Sequence, residues 1–163
     1  MYRRRPNRTI VCLFLLTLTS VVAAASEPID IEADQAEFDE RNGTSFFLGD
    51  VRLQRGTLSI TADKITLYRV NKRLERTVAE GHPARYSQKT PQGGEMRAEA
   101  EKIEYFAAKE ELHMTGKARL WHDKNSFSGE RIIYNIRTDK VQADSKQSGK
   151  QRVHAIIYPD EGQ

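Results

Sequence analysis

A four-residue phrase that recurs along the chain restricts its fold more than any other feature of the sequence. The phrase consists of a small, an acidic, a polar and an apolar residue. It begins at Ala33, Ala62, Ala100 and, in a weaker form, Gly129, so the starting points are 29, 38 and 29 residues apart. Repeats of about 30 residues are typical of stacked units that bury little surface alone. The sequence therefore predicts an elongated array of about four two-strand units, whose terminal edges are adhesive unless capped.

Apolar and polar residues alternate on either side of each phrase, which is typical of β-strands with one buried face. The alternation slips by one residue at the phrase: Ile60 and Ala62 precede it, and the pattern resumes at Ile65 and Leu67. Such a slip keeps the same face inward only if the backbone carries a bulge or a corner. We therefore expect a bend at the acidic residue of each phrase. These residues are Asp34, Asp63, Glu101 and Glu130.

Polar turn segments separate the predicted strands. The strongest hairpin signal is Asn-Gly within residues 40–43, and further turns are predicted at 69–72, 107–110 and 137–140. The segment from Gln88 to Glu95, which contains a proline and two glycines, is interpreted as an insertion at a hairpin tip. No stretch longer than about ten residues keeps a helical period. The predicted fold class is all-β, with antiparallel strands.

The first 25 residues have the features of a cleaved secretory signal peptide. Four arginines precede an apolar stretch from Ile10 to Val22, and three alanines at 23–25 follow it. The apolar stretch is shorter than the ~20 residues that span a bilayer. We expect cleavage before Ser26, export of the chain, and a single domain at 26–163. An uncleaved membrane anchor is the alternative.

Removal of this leader changes the charge balance. The whole chain has 26 basic and 23 acidic residues, and four of the basic residues lie in the leader, which leaves 22 against 23. Because nucleic-acid binding requires a concentrated basic face, we expect no nucleic-acid partner. The one cysteine, Cys12, lies in the leader, so the mature domain must be held together by burial.

The sequence contains no motif for catalysis. It lacks the common metalloprotease, serine-hydrolase and phosphate-loop patterns, so we predict a protein that is not an enzyme and uses no cofactor or metal. The histidines His82, His113, His122 and His154 are scattered, and we expect His113 and His122 to be solvated. The four acidic residues of the phrases could form a calcium ladder, but each stands alone, which favours a structural bend.

The inward-facing positions form a nearly continuous apolar series, although only 38% of the chain is apolar. Core packing explains any single aromatic ring in this series. The series as a whole favours an apolar groove along a sheet that is rolled into a V or a flattened jelly roll. The candidate groove residues are Ile29, Ile31, Phe38, Phe47, Val51, Ile60, Ile65, Leu67, Tyr86, Met96, Ile103, Tyr105, Met114, Leu120, Ile132 and Tyr134.

The repeated phrases, the opening residues 28–34, the segment Gly81-His82-Pro83-Ala84 and the closing residues 152–159 together resemble the OstA-like (organic-solvent-tolerance) family of periplasmic lipopolysaccharide-transport proteins. The resemblance covers nearly the whole mature chain. It departs from the family pattern at Gly129, which replaces alanine, and in the middle insertion. It implies an open, twisted β-jelly roll of antiparallel strands. The interior of this fold would shield the acyl chains of lipopolysaccharide, which belong to its lipid A portion.

The resemblance also implies partners. Molecules would join head to tail and form a bridge between an inner-membrane-anchored partner at the N-terminal edge and an outer-membrane barrel protein at the C-terminal edge. The expected joint residues are Ile29, Ile31, Ala33, Val153, Ala155 and Ile157. The alternatives are a structural periplasmic β-protein without cargo, a membrane-anchored member of the same transport system, and a carbohydrate-active β-solenoid.

Overall fold

The computed structural model describes residues 27–90, 93–145 and 152–159. Within these ranges the chain forms ten β-strands and no helix, so the all-β prediction is confirmed. The strands are β1 (Asp30–Glu32), β2 (Gln35–Asp39), β3 (Thr44–Arg55), β4 (Leu58–Val70), β5 (Arg73–Lys89), β6 (Glu95–Phe106), β7 (Glu111–His122), β8 (Asn125–Asn135), β9 (Lys140–Asp144) and β10 (His154–Ile156). The predicted leader at 1–25 lies outside the described residues. Among those described, no helix could cross a membrane.

All ten strands belong to one antiparallel sheet, in which β3 to β8 follow one another in chain order. Two short strands flank each end of this series. At one end β1 and β2 both pair with β3, and at the other end β9 and β10 both pair with β8. Strands β4 to β7 therefore hydrogen-bond only to their neighbours along the chain, as expected for a stacked array, whereas β3 and β8 each pair with one additional short strand.

A line of β-bulges crosses the sheet through its middle. Strand pairing is interrupted at residues 49–50, 62–63, 81–83, 100–101 and 116–117. Asp63 and Glu101 lie within these interruptions, Asp34 lies between β1 and β2, and Glu130 lies opposite the last interruption. The bend predicted at the acidic residue of each phrase is confirmed.

Glycine makes two of these bulges possible. Gly49 and Gly116 have φ angles of 82° and 83°, a region that residues with a side chain rarely adopt. The acidic phrase on the neighbouring strand covers each glycine: an alanine Cβ at position 49 would collide with the Asp34 carboxylate, and one at position 116 would lie 2.6 Å from Glu101 Oε2. The acidic phrase and the glycine-led segment are therefore two parts of the same bend.

The line of bulges divides the sheet into two half-sheets of eight strand segments each. The first half-sheet consists of residues 30–32, 51–62, 84–90, 93–100, 118–129 and 154–156, and the second of residues 35–48, 64–80, 102–115 and 131–144. Inward-facing residues align in direct register across each half-sheet. The row in the first is Ile31, Leu53, Ile60, Tyr86, Ala98, Leu120, Phe127 and Ala155. The row in the second is Ala36, Phe47, Ile65, Ala79, Ile103, Met114, Ile132 and Ala143.

Buried side chains from both rows belong to one hydrophobic core. The two half-sheets therefore fold towards each other about the line of bulges. The fully buried side chains include Val51, Ile65 and Leu120, which are 0% exposed. The core is closed next to the line of bulges, and the hairpin tips form the opposite side of the fold.

The predicted turns are found at or near their expected positions. Asp39 closes the turn at 40–43, because its carboxylate accepts hydrogen bonds from the backbone N–H of Arg41 at 3.1 Å and of Asn42 at 3.0 Å. Turns also occur at 71–72, 107–110 and 136–139. Lys89 pairs with Glu95, so the predicted insertion forms a hairpin tip, of which residues 91–92 lie outside the described residues. Tight turns at 56–57 and 123–124 were not predicted.

Candidate functional site

Three adjacent cavities lie between the half-sheets at the hairpin tips, an opening that we call the mouth. Their volumes are about 510, 400 and 560 Å³, in order from the β1/β2 edge towards the β9/β10 edge. Ile29 and Leu74 line both the first and the second cavity, and Gln88 and Ile136 line both the second and the third. The three cavities therefore lie side by side along the sheet, and we call this row the trough.

Apolar side chains from both half-sheets line the central cavity. The first half-sheet contributes Leu53, Leu58 and Ile60, and the second contributes Leu74 and Tyr105. These residues come from strand ends that face one another across the mouth. These side chains provide an apolar surface of the kind that binds apolar ligands, and the charged residues Glu27, Arg55 and Glu110 line the same cavity.

Two tyrosines of this cavity remain neutral at physiological pH. Burial raises the pKa of Tyr86, and the Tyr86 hydroxyl donates a hydrogen bond of 2.5 Å to Gln88 Oε1. Burial, reinforced by the nearby Glu110 carboxylate, also raises the pKa of Tyr105. The tyrosines thus contribute ring surface to the trough without placing a negative charge in it.

Contacts between the two half-sheets line the third cavity. Tyr134 donates a hydrogen bond of 2.8 Å to Asp139 Oδ1, and burial raises the pKa of this tyrosine. His122, at the end of β7 in the first half-sheet, lies with its Nδ1 3.6 Å from the same Asp139 oxygen. Its ring centroid is 5.6 Å from that of Tyr134. These contacts join the half-sheets near the β9/β10 edge.

The expectation that His113 and His122 are solvated is wrong. Their side chains are 19% and 18% exposed. His122 continues the inward alternation of β7 and enters the third cavity. His113 faces outward as predicted, but its ring packs 4.7 Å from the Phe106 ring and its Nε2 lies 3.0 Å from Glu111 Oε2. A neighbouring aromatic ring thus covers a position that the alternation assigns to solvent.

The candidate groove residues fall into two groups. Ten of them line the trough: Ile29, Ile31, Phe38, Phe47, Ile60, Leu67, Tyr86, Met96, Tyr105 and Tyr134. The other six pack against one another in the closed core and are at most 1% exposed: Val51, Ile65, Ile103, Met114, Leu120 and Ile132. Any ligand in the trough therefore meets the first group, and the second forms its floor.

Several residues of the mouth were missed by sequence reasoning. The apolar ones are Leu53, Leu58, Leu74 and Ile136. The basic ones are Arg55, Arg69, Lys72, Lys89 and Arg137. The apolar residues could have been found as the alternating positions closest to each turn. The basic residues carry no such signal, because charged residues at turns are common on any soluble protein.

Both ends of the sheet expose an unpaired strand edge within the described ranges. β1 and β2 form one end and β9 and β10 the other, so each half-sheet has an open edge at each end. Five of the seven large hydrophobic residues that the structure exposes lie at these edges. They are Phe38, Val153, Ile156, Ile157 and Tyr158, and they are 40% to 65% exposed. Exposed edges with apolar side chains favour pairing with another chain.

The acidic residues at the bulges hold neighbouring segments together. Asp63 Oδ2 lies 2.9 Å from His82 Nδ1, and Glu101 Oε1 lies 2.9 Å from Lys117 Nζ. Within the part of the chain that the structure describes, no group of three or more metal-binding side chains converges. The two ion pairs of Asp63 and Glu101 join segments that meet at the bend.

These features define a class of all-β protein in which one antiparallel sheet folds over an elongated apolar trough and leaves its ends open for further strands. Residues 30–140 match the family model described as "LptA/(LptD N-terminal domain) LPS transport protein". The chain belongs to this family.

Individual relatives agree with this assignment. The chain is 31% identical to lipopolysaccharide export system protein LptA of Escherichia coli K12 over 87% of this chain and 77% of that protein. It is 30% identical to lipopolysaccharide export system protein LptH of Pseudomonas aeruginosa over 82% and 80% of the two chains.

The crystal structure of LptH, described as the periplasmic component of the lipopolysaccharide transport device of P. aeruginosa, has the same fold. Its TM-score is 0.73 at 28% identity, over 82% of this chain and 96% of that one. The family expected from the sequence and its OstA-like fold are confirmed.

Proposed function

We propose that this protein is a periplasmic carrier of lipopolysaccharide that holds the acyl chains of lipid A in the trough between its half-sheets. The observation that carries the proposal is the row of three adjacent cavities that extends from one sheet edge towards the other. The names of its relatives, which are lipopolysaccharide export proteins, support the same function.

The energetics of the cargo require a trough of this kind. Exposing an acyl chain to water costs about 0.8 kcal/mol per methylene, so a chain of roughly a dozen carbons costs on the order of 10 kcal/mol. A brief contact with a flat surface would not cover such a chain. A continuous apolar lining lowers the barrier along the whole path and holds the cargo tightly at no single point.

The mouth is the entry for the acyl chains, since the core is closed at the line of bulges. At the mouth, Tyr105, Leu74 and Ile29 are only partly buried, so an acyl chain can contact them without displacing a packed side chain. The floor residues are already packed against one another. The basic residues of the mouth, Arg55, Lys72, Lys89 and Arg137 among them, lie where the phosphates of lipid A would leave the apolar lining. These basic side chains offer ion pairs to the phosphates, next to the carboxylates of Glu27, Glu110, Asp123 and Asp139, which line the same cavities.

The open edges provide the joints of a bridge. We propose that the β9/β10 edge of one molecule pairs with the β1/β2 edge of the next, so that both half-sheets and the trough continue across the joint. The expected joint around Ile29 to Ala33 and Val153 to Ile157 covers the first half-sheet, and β2 and β9 add the second. An inner-membrane-anchored partner would occupy the N-terminal edge and an outer-membrane barrel protein the C-terminal edge.

The domain would reach the periplasm by export of the chain and cleavage of residues 1–25. Intact mass of the protein purified from the periplasm tests this step, and a mass that begins at Ser26 is expected. A mass that retains the leader would instead support a membrane-anchored member of the transport system.

Displacement of an apolar fluorescent dye tests the carrier function. The purified domain should bind the dye, and lipopolysaccharide should displace it in proportion to its concentration. The control is the fully deacylated saccharide of the same lipopolysaccharide. It has no acyl chain for the trough and should leave the dye bound. A domain that binds no dye, or releases none to lipopolysaccharide, would be a structural β-protein without cargo.

A further inference from the structure

The outer face of the first half-sheet carries a cluster of arginines around a tryptophan. Direct strand register places these residues in two adjacent rows on the solvent side of the sheet. The first row is Thr61, Arg85, Glu99, Arg119 and Ser128, and the second is Ser59, Ser87, Arg97, Trp121 and Ser126. We call the surface formed by Arg85, Arg97, Arg119 and Trp121 the outer arginine patch.

The patch is concave. It surrounds a depression of about 520 Å³, whose lining also includes the hydroxyl-bearing residues Ser59, Thr61 and Ser87. Its side chains face away from the trough, because successive residues of a strand point to opposite faces of the sheet. The patch is therefore separate from the proposed acyl-chain site.

Positive charge is in excess in the patch. Arg85 Nε lies 3.2 Å from Glu99 Oε1, and Arg97 Nε lies 3.8 Å from Glu95 Oε2 at the rim. Both arginine side chains remain about 60% exposed, at 58% and 60%. Arg119 forms no hydrogen bond or ion pair with another of the described residues. One guanidinium is thus free, and two others are only partly neutralised.

The outer face of the second half-sheet is different. There Lys64 pairs with Glu80 at 3.6 Å, and Glu104 pairs with both Arg76 at 3.5 Å and Lys102 at 2.9 Å. These three cations are paired within the fold, whereas Arg131 on the same face forms no hydrogen bond or ion pair with another described residue. Arg131 stands singly, so the clustering of incompletely paired arginines is particular to the patch.

We propose that the outer arginine patch binds an acidic oligosaccharide, a sugar chain that carries phosphate or carboxylate groups. Guanidinium groups match the geometry of such anions with paired hydrogen bonds. The Arg97 guanidinium lies over the Trp121 ring, 5.8 Å from its centroid, so the two side chains form one surface for a sugar ring. The serine and threonine hydroxyls of the depression offer partners for sugar hydroxyls.

The spacing of the arginines fits a chain better than a single anion. Arg85 and Arg119 lie two strands apart in direct register, with Glu99 between them. Neighbouring strands are about 4.8 Å apart, so the two backbone positions are separated by about 10 Å. Successive acidic groups on a sugar chain can occupy both arginines, whereas one phosphate cannot.

Tryptophan fluorescence reads this site directly, since Trp121 is the one tryptophan of the chain. Two probes separate the possible sources of the ligand. The first is fully deacylated lipopolysaccharide, which keeps its phosphorylated saccharide and has no chain for the trough. The second is soluble cell-wall glycan with its peptide carboxylates intact. Each is titrated into the full mature domain at low salt.

We expect one of the two probes to change the fluorescence of Trp121 in a saturable manner, and that probe identifies the source. Arg119→Gln should weaken its binding at least about tenfold, because it removes a charge-assisted contact. This variant should keep its thermal midpoint, since Arg119 has no partner to lose. Arg131→Gln, on the outer face of the second half-sheet, is the matched control and should bind as the wild type does. No response to either probe, or equal losses in the two variants, would overturn the proposal.

Discussion

Replacement of Gly49 by alanine tests the physical origin of the bend that separates the half-sheets. The φ of Gly49 is 82°, and the added Cβ would collide with the carboxylate of Asp34 and lie 2.8 Å from Asp34 Cβ. A residue with a side chain at positive φ costs about 1–2 kcal/mol. Displacing Asp34 adds a steric cost of similar size, as for other overpacked sites. We expect Gly49→Ala to lower the free energy of unfolding by about 2–4 kcal/mol.

Gly93→Ala is the matched control for this prediction. Gly93 has a φ of 86°, but no described atom lies within 4 Å of the position of its Cβ. This variant should therefore lose only the conformational part, about 1–2 kcal/mol. The difference between the two variants measures the contact with Asp34.

Urea unfolding followed by circular dichroism gives the required free energies. A double variant, Gly49→Ala with Asp34→Gly, should recover part of the loss, since the colliding side chain is gone. Equal destabilisation by Gly49→Ala and Gly93→Ala, with no coupling to Asp34, would refute the idea that the acidic phrase and the glycine form one bend.

Three further predictions concern the trough, the edges and the first turn. Tyr105→Asp should weaken lipopolysaccharide binding at least about tenfold, because a charge would enter the apolar lining. Thr115→Asp, on the outer face, should leave binding unchanged. Dye displacement by lipopolysaccharide measures both variants. Ile156→Pro should prevent concentration-dependent oligomers in light scattering, since proline removes a backbone donor from β10, and unchanged oligomers would count against the edge joint. The pKa of Asp39 is lowered from 3.8 by hydrogen bonds from Asn42, so the stability that this carboxylate adds is present above pH 3.8 and disappears as the pH falls through the lowered pKa. The difference in urea midpoint between wild type and Asp39→Ala should therefore shrink in acid, and a difference that stays constant would contradict this role.

The sequence was sufficient to predict the strands and the bend. The slip in alternation at Asp63 and Glu101 located bulges, because a period of two leaves no other way to keep one face buried. The turn closed by Asp39 was predictable from the Asn-Gly pair that it contains. These are local signals, each carried by a few adjacent residues.

The depth of each inward residue was not predictable from the same pattern. Alternation predicts that Ile65 and Tyr105 both point inward. In the structure Ile65 is 0% exposed and belongs to the floor, whereas Tyr105 lines the mouth. The distance from the line of bulges decides between the two, and this distance depends on how strands align across the sheet. His122 was misjudged for a related reason, since its nearness to a turn suggested solvent while the opposite half-sheet covers it.

Photo-crosslinking at two adjacent positions tests the central claim most directly. A benzophenone side chain at position 105 would face the trough, and one at position 106 would face outward, because neighbouring residues of β6 point to opposite sides of the sheet. With lipopolysaccharide bound, we expect adducts to its acyl chains from position 105 and none from position 106. Equal adducts from both positions, or none from position 105, would contradict a carrier that encloses its cargo between the half-sheets.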